Sequence, residues 1–274
     1  ELYDREYYFF KKISQDVNVK LPKFYNLLKD DNLKDKGIIL ENLFNKGYKI
    51  NLNLNEESID VSLKIVNKMA QLHSKFWNKN LKEIYPFLKH SKSECFYPFK
   101  QNFIKNNSNK FLNKWKHCLS EKQINICSNL INNFENIQEK MNTENLTFIH
   151  GDIKSPNLFY DTDNNLEPYF LDWQHCAIGK GSQDLIFFII ESFDITKILQ
   201  VYNLFKYYYF IKIKENGIHY SWESYSDDLY TSICYIPFFT AIWFGSLDDD
   251  ELLDKNFPYF FINKLFYLLE YLHQ

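Results

Sequence analysis

Cysteine is scarce and scattered in this 274-residue sequence. The five thiols, Cys95, Cys118, Cys127, Cys176 and Cys234, are odd in number and include no Cys-x-x-Cys pair. That excludes a disulfide framework and a paired-cysteine metal knuckle. Buried free thiols in a reducing compartment are the simplest reading, and with them a cytoplasmic location is expected. No apolar run approaches the roughly 18 residues that a membrane span needs. Residues 185–190 are too few, and residues 235–244 are interrupted by Pro237. The opening residues lack the pattern of a secretory signal. An excess of positive charge is also missing: 32 Lys and Arg are interspersed with 35 Asp and Glu for a net charge of −3, so no basic stripe for nucleic acid is expected. Only seven glycines are present, and none of them build a glycine-rich run.

Aromatics, by contrast, are abundant, with 26 Phe, 20 Tyr and 5 Trp, a content incompatible with a disordered chain. Leu2, Tyr3, Glu6, Tyr7 and Phe10 recur at helical spacing, which predicts a helix over residues 1–13. Residues 24–30 and 37–43 read as a strand pair joined by a charged turn over 30–36, with a tight turn at 45–47. Asn55 before Glu56 and Glu57 reads as a helix start, and the apolar face Ile59, Leu63, Val66, Met69, Ala70 and His73 continues it toward Trp77. Pro86 and Pro98 break the next segments. A further helical region is expected over 110–140, with Trp115, Leu119, Ile126, Leu130 and Phe134 on its apolar side. Short strands follow at 146–149, 158–160 and 169–171, the last two joined by a turn at 161–165. After Gly179 and Gly181 the chain reads as helical to its end, with breaks near Gly217, Gly245 and Pro258. The order makes an α+β fold.

The chemistry concentrates in residues 150–172. Asp152 follows an apolar strand beside Gly151, Asn157 lies five residues on, and Asp172 ends the second strand of the hairpin. Phosphoryl transfer requires a carboxylate to orient a hydroxyl and oxygen ligands for Mg²⁺, and these three residues can supply both. Singly, each has a plainer reading: Asp152 as a turn former, Asn157 as a turn end, Asp172 as a helix cap, His150 as a packed, hydrogen-bonded histidine. The combination carries the reading. Lys154, two residues past Asp152, is either a surface lysine or a contact to the transferred phosphate. Acids at Asp227, Asp228, Asp248, Asp249, Asp250 and Glu251 read either as a solvated face or as an attraction for a cationic amine.

The segment HGDIKSPNLF with the later LDW resembles the catalytic motif of the aminoglycoside phosphotransferase, choline kinase and ecdysteroid kinase-like superfamily. The late Asp- and Tyr-rich helix around 225–235 leans toward the ecdysteroid kinase-like branch. The resemblance implies a protein kinase-like fold and transfer of the γ-phosphate of ATP to a hydroxyl of a small molecule, with Asp152 as catalytic base, His150 supporting its loop, and Asn157 and Asp172 as Mg²⁺ ligands. It implies that Asp184, in GKGSQDL, braces the catalytic loop. The helix MAQLHSKFW packs beneath that loop, with His73 structural. The backbone around Glu41, Asn42 and Leu43 would meet the adenine, and Glu6 would pair with a nucleotide-holding lysine.

The resemblance also places that lysine and a glycine-rich phosphate loop upstream of residue 1. Residues 1–45 are therefore expected to be the remnant of an amino-terminal lobe and hinge, largely missing, and residues 46–274 a helical carboxy-terminal lobe. Residues 1–274 alone are expected to phosphorylate poorly. The alternative is a non-catalytic kinase-like binding or scaffold protein, which intact Asp152, Asn157 and Asp172 disfavour. No obligate protein partner is implied.

Overall fold

The computed structural model describes residues 2–29, 36–93, 101–238, 242, 245–248, 250 and 254–273. Cys95, Pro98, Asp249, Glu251 and the turn over 30–35 lie outside the described residues.

Helix α1 (Leu2–Lys12) precedes an antiparallel pair, β1 (Phe24–Lys29) and β2 (Lys36–Leu40), as the sequence predicts. A 3₁₀ turn (Leu43–Lys46) follows. Asn42 caps its start by accepting from Phe44 N, and Gly47 closes it in the left-handed region at φ 73°. The short strand β3 (Lys49–Ile50) leads to α2 (Ile59–Phe76). The cap of α2 is Ser58, whose hydroxyl accepts from Asp60 N, and not Asn55. Asn55 instead turns its side-chain oxygen to Asp194 N at 2.9 Å, a long-range contact that local residue preferences do not encode. The α2 stripe Ile65, Val66, Met69, Leu72 and Phe76 is buried, as an amphipathic helix facing a core demands.

The helical region expected over 110–140 is made of three helices. After the single turn α3 (Leu81–Ile84), α4 (Gln101–Trp115) stops, a 3₁₀ turn intervenes, and Ser120 opens α5 (Glu121–Asn132) with a reciprocal capping box to Gln123. Then α6 (Phe134–Lys140) follows. All five apolar residues assigned to this face are buried, so the periodicity was informative although the caps divide it.

Strand β4 (Leu146–Ile149) leads into the segment over 150–157, and β5 (Leu158–Asp161) and β6 (Glu167–Phe170) form the expected hairpin, extended by β3 into a three-stranded sheet. A strand not anticipated, β7 (Ala177–Lys180), pairs antiparallel with β4, Ile149 opposite Ala177. Four residues carrying one glycine offer no period, so only the partner strand defines it.

Helix α7 (Gly181–Ser192) is apolar on all sides at its centre, and residues 185–190 are all buried. Around it pack α8 (Ile198–Glu215), α9 (Trp222–Pro237) and α10 (Phe257–Leu272). Pro258, read as a break, occupies the first turn of α10, where its missing N–H costs nothing. Among the described residues no helix is long and apolar enough to cross a membrane.

Candidate active site

The turn after β4 is held by a single buried carboxylate. Asp184, in the first turn of α7, accepts His150 N and Gly151 N at 2.8 Å each, and its Oδ2 lies 3.1 Å from His73 Nε2 on α2. His73 Nδ1 in turn meets Tyr209 OH at 2.8 Å. The ring therefore donates from Nε2 to the carboxylate and accepts from the phenol at Nδ1. A carboxylate this buried is tolerable because every donor aimed at it is satisfied. The bracing role expected of Asp184 and the structural role of His73 are what this geometry describes. Two glycines permit it. Gly151 adopts φ +84°, and a Cβ there would lie 2.3 Å from His175 O; a Cβ on Gly181 would meet Tyr209 OH at 2.2 Å.

His150 is wholly buried, and both ring nitrogens are used: Nε2 donates to Leu171 O at 2.8 Å and Nδ1 accepts from Asp152 N at 3.3 Å. Burial holds it below the usual imidazole range, so the ring is neutral and fixed in one tautomer. It fastens the segment bearing Asp152 to the residue before Asp172. A second tie runs from Leu171 N to Asn157 O at 3.0 Å.

Asp152 is nearly buried, at 6% exposure. Burial raises its carboxyl above the ordinary value, opposed by the Lys154 ammonium 3.0 Å away. Asn157 gives both amide hydrogens to this residue, to Asp152 O and Oδ2, each at 2.9 Å. Its carbonyl oxygen thereby turns the other way. Asp172 sits in the left-handed region, φ 60° and ψ 68°, with Oδ2 accepting from Gln174 Nε2 at 3.2 Å. The next residue, Trp173, is fully buried, stacked on Phe9 of α1 with centroids 4.1 Å apart and planes 5° from parallel. Its N–H donates to Glu6 Oε1 at 3.2 Å, which brings Glu6 beside Asp172. Burial, and then the Asp172 charge, raise the Glu6 carboxyl.

His150, Asp152, Lys154, Asn157, Asp172 and Glu6 thus form one site. Glu41, Asn42 and Leu43 are elsewhere, on the connection from β2. Glu41 N donates to Lys23 O at 2.8 Å, and its carboxylate takes Lys46 at 2.7 Å and Lys23 N at 3.1 Å. Lys46 holds this carboxyl below its usual value. Asn42 spends its side chain on the cap, and Leu43 is buried. The connection reaches the segment over 150–160 through Phe44, edge-on to Phe159 at 4.8 Å, and through Ser155 Oγ, which donates to Leu52 O at 2.6 Å.

The acidic residues of α9 do not form a free anionic face. Asp228 is buried and binds Lys180 Nζ at 2.5 Å, Tyr220 OH at 2.5 Å and Asn145 Nδ2 at 2.8 Å. Asp227 lies 3.9 Å from Lys140, and Asp248 lies 3.1 Å from Lys110.

Glu191, at the end of α7, is a lone acid closing an apolar run. Burial raises its carboxyl to about 7, against the opposing charges of Lys154 and Lys264 and with the Asp152 charge adding to the rise. The folded protein therefore binds this proton more tightly than the unfolded chain, whose carboxyl titrates near 4.5. Stability from this group is complete below that value and is lost as pH rises toward about 7. Replacing Glu191 with Gln is expected to flatten the decline. Urea melts of both proteins at pH 5 and 7.5 check this, and equal declines would contradict it.

The sequence profile of the ecdysteroid kinase-like family matches residues 2–215. No curated protein matches the chain by sequence. Among solved structures, the GDP complex of aminoglycoside 2′-phosphotransferase-IIIa superposes with a TM-score of 0.64 at 10% identity, covering 96% of this chain and 80% of that one. A choline kinase from Streptococcus pneumoniae gives 0.53 at 13% identity, over 97% and 80%. The ethanolamine kinase of Plasmodium vivax gives 0.55 at 15%, over 98% and 70%. At such identities these likenesses establish the fold, which is α+β and kinase-like. The family profile spans α1 through α8, and the chain belongs to the ecdysteroid kinase-like family.

Proposed function

We propose that the protein is an ATP-dependent phosphotransferase acting on a hydroxyl of a small molecule. One observation carries the reading: Asp152, anchored by Asn157 and Lys154, is tied through His150 to the segment that bears Asp172. A nearly buried carboxylate beside a second, oxygen-only donor pair is what in-line transfer to an alcohol requires.

Asp152 accepts the proton of the acceptor hydroxyl as its oxygen bonds to the γ-phosphorus and the bond to the bridging oxygen breaks. Lys154, 3.0 Å from Asp152, reaches the transferred phosphate. The oxygen donors fit Mg²⁺: the Asn157 carbonyl faces away from its two amide hydrogen bonds, and Asp172 spends one oxygen on a neutral amide. Asn157 and Asp172 would hold the ion, which when bound supplies charge neutralisation to the phosphates. The connection at Glu41–Leu43 meets the adenine, Glu6 belongs to the nucleotide side, and residues 1–45 correspond to the hinge and part of an amino-terminal lobe. A cytoplasmic location accompanies this reading. The names of the neighbours support it, since they are kinases of aminoglycosides, choline and ethanolamine and one was solved with GDP.

The test is ADP release by the intact protein, with MgATP, across a panel of hydroxyl compounds. Acceptor-dependent release is expected. Replacing Asp172 with Ala should weaken binding of MgATP at least about tenfold, by loss of a charged ligand worth 1.5–3 kcal/mol. Binding unchanged in that variant, measured calorimetrically, would remove Asp172 from the nucleotide site.

A further inference from the structure

A cavity of about 680 Å³ opens beside the turn that carries Asp152, within the size range of small-molecule sites. Gly151, bonded to Asp152, forms part of its wall, and so does His175, three residues past Asp172. Among the described residues, every lining residue falls between Ser91 and Ile236. None comes from α1, β1, β2 or the connection at Glu41–Leu43, so the cavity is built on the helical side of the acids and not by the elements read as meeting the nucleotide. Met141, Ile149, Ile178, Phe187 and Ile236 make its surface largely apolar. Of the groups there that could carry charge, Asp184 is engaged with His150 N, Gly151 N and His73, and burial pushes the His175 imidazole down to about 4, which leaves it neutral. Asp152, Lys154, Asp172, Glu6 and Glu191 do not line the space. The cavity therefore offers neither a free carboxylate to an amine nor a cation to an anion.

One polar group in the wall is aimed by the fold. Gln183, in the first turn of α7, is half-buried, and its Oε1 accepts Lys180 N at 3.0 Å. That oxygen lies over Gly179, where a Cβ would come within 2.3 Å of it. The amide is thereby fixed in one orientation. Its Nε2, turned away from this junction, has no acceptor among the described residues. A donor without a partner in an apolar wall is satisfied by an accepting oxygen on a ligand.

We propose that this cavity seats the body of the acceptor, and that Gln183 Nε2 selects it by donating to a carbonyl or ether oxygen remote from the reacting hydroxyl. The inference rests on the phosphotransfer reading and names its substrate class as uncharged, largely apolar alcohols that bear such an oxygen. The reacting hydroxyl lies at the Gly151 end, one residue from the base, and the apolar body packs on Phe187 and Ile236. Burial of that body supplies the affinity, and the amide fixes its direction.

The experiment is titration calorimetry of the intact protein with MgADP present, followed by ADP-release assays in MgATP. The probes are a matched pair, hydroxycyclohexyl-cyclohexanone and its deoxo counterpart cyclohexyl-cyclohexanol, beside glycerol and choline. The wild type is expected to bind the keto alcohol about 3- to 10-fold more tightly than the plain alcohol, the gain of one neutral hydrogen bond. Both should bind more tightly than glycerol or choline. Gln183→Glu keeps the oxygen that accepts Lys180 N and removes the donor, so in it the keto preference should vanish or reverse. Equal affinities in the wild type, or a keto preference that survives in Gln183→Glu, overturns the role of Gln183. Glycerol or choline bound more tightly than the cyclic alcohols, or turned over in preference to them, overturns the seat and leaves phosphotransfer standing. Cyclic alcohols bound as expected, with no ADP release from any acceptor, overturn phosphotransfer and the acceptor role together. If the variant does not fold, the wild-type pair decides alone.

Discussion

Alanine at position 152 is expected to lower kcat by about 10²- to 10⁴-fold, the usual contribution of a positioned base, while MgATP affinity changes less than twofold. The reason lies in what the Asp152 carboxylate touches. Oδ1 faces Lys154 and Oδ2 takes one hydrogen of Asn157. Asn157 keeps its second bond, to Asp152 O, in the variant, and its carbonyl oxygen stays oriented. Neither His150 bond involves the lost carboxylate, so Asp172 stays where it is. Single-turnover rates together with calorimetric nucleotide binding separate the two quantities. A parallel loss of nucleotide affinity would move Asp152 from base to metal support.

Asp184→Ala is expected to be the most damaging substitution for stability. It strands two buried backbone N–H groups and one imidazole N–H that now share a carboxylate. Breaking a buried charged network by removing one partner costs about 3–5 kcal/mol. For a chain of this size that corresponds to a fall in Tm of about 10 °C. Hydrogen exchange at His150 and Gly151 should accelerate with it. Asp184→Asn, which retains one acceptor oxygen, should fall less. A Tm within about 3 °C of wild type in the alanine variant would mean that the loop is held by other contacts.

Much of this site was legible from spacing. Asp152, Asn157 and Asp172 sit where a strand end, a turn and a hairpin end must put them, and β4, β5 and β6 lie where their apolar runs predict. Other features depend on partners distant in sequence and could not be read locally. Strand β7 exists because β4 is beside it, and Asn55 finds Asp194 139 residues away. Asp228 looked like part of a surface acid run, but Lys180, 48 residues earlier, draws it inside. The helical region over 110–140 was legible from its apolar face, and the capping box of Ser120 and Gln123 marks where it divides.

The two bonds of the His150 ring have a consequence for movement. Because Leu171 O and Asp152 N are joined through one rigid imidazole, and Leu171 N is tied to Asn157 O, the segments that bear Asp152, Asn157 and Asp172 share one body. Ser155 extends that body to Leu52. Trp173 joins α1 to it as well, through its N–H to Glu6 and its stack on Phe9. The site is preorganised, and binding costs little rearrangement on this side of the cleft.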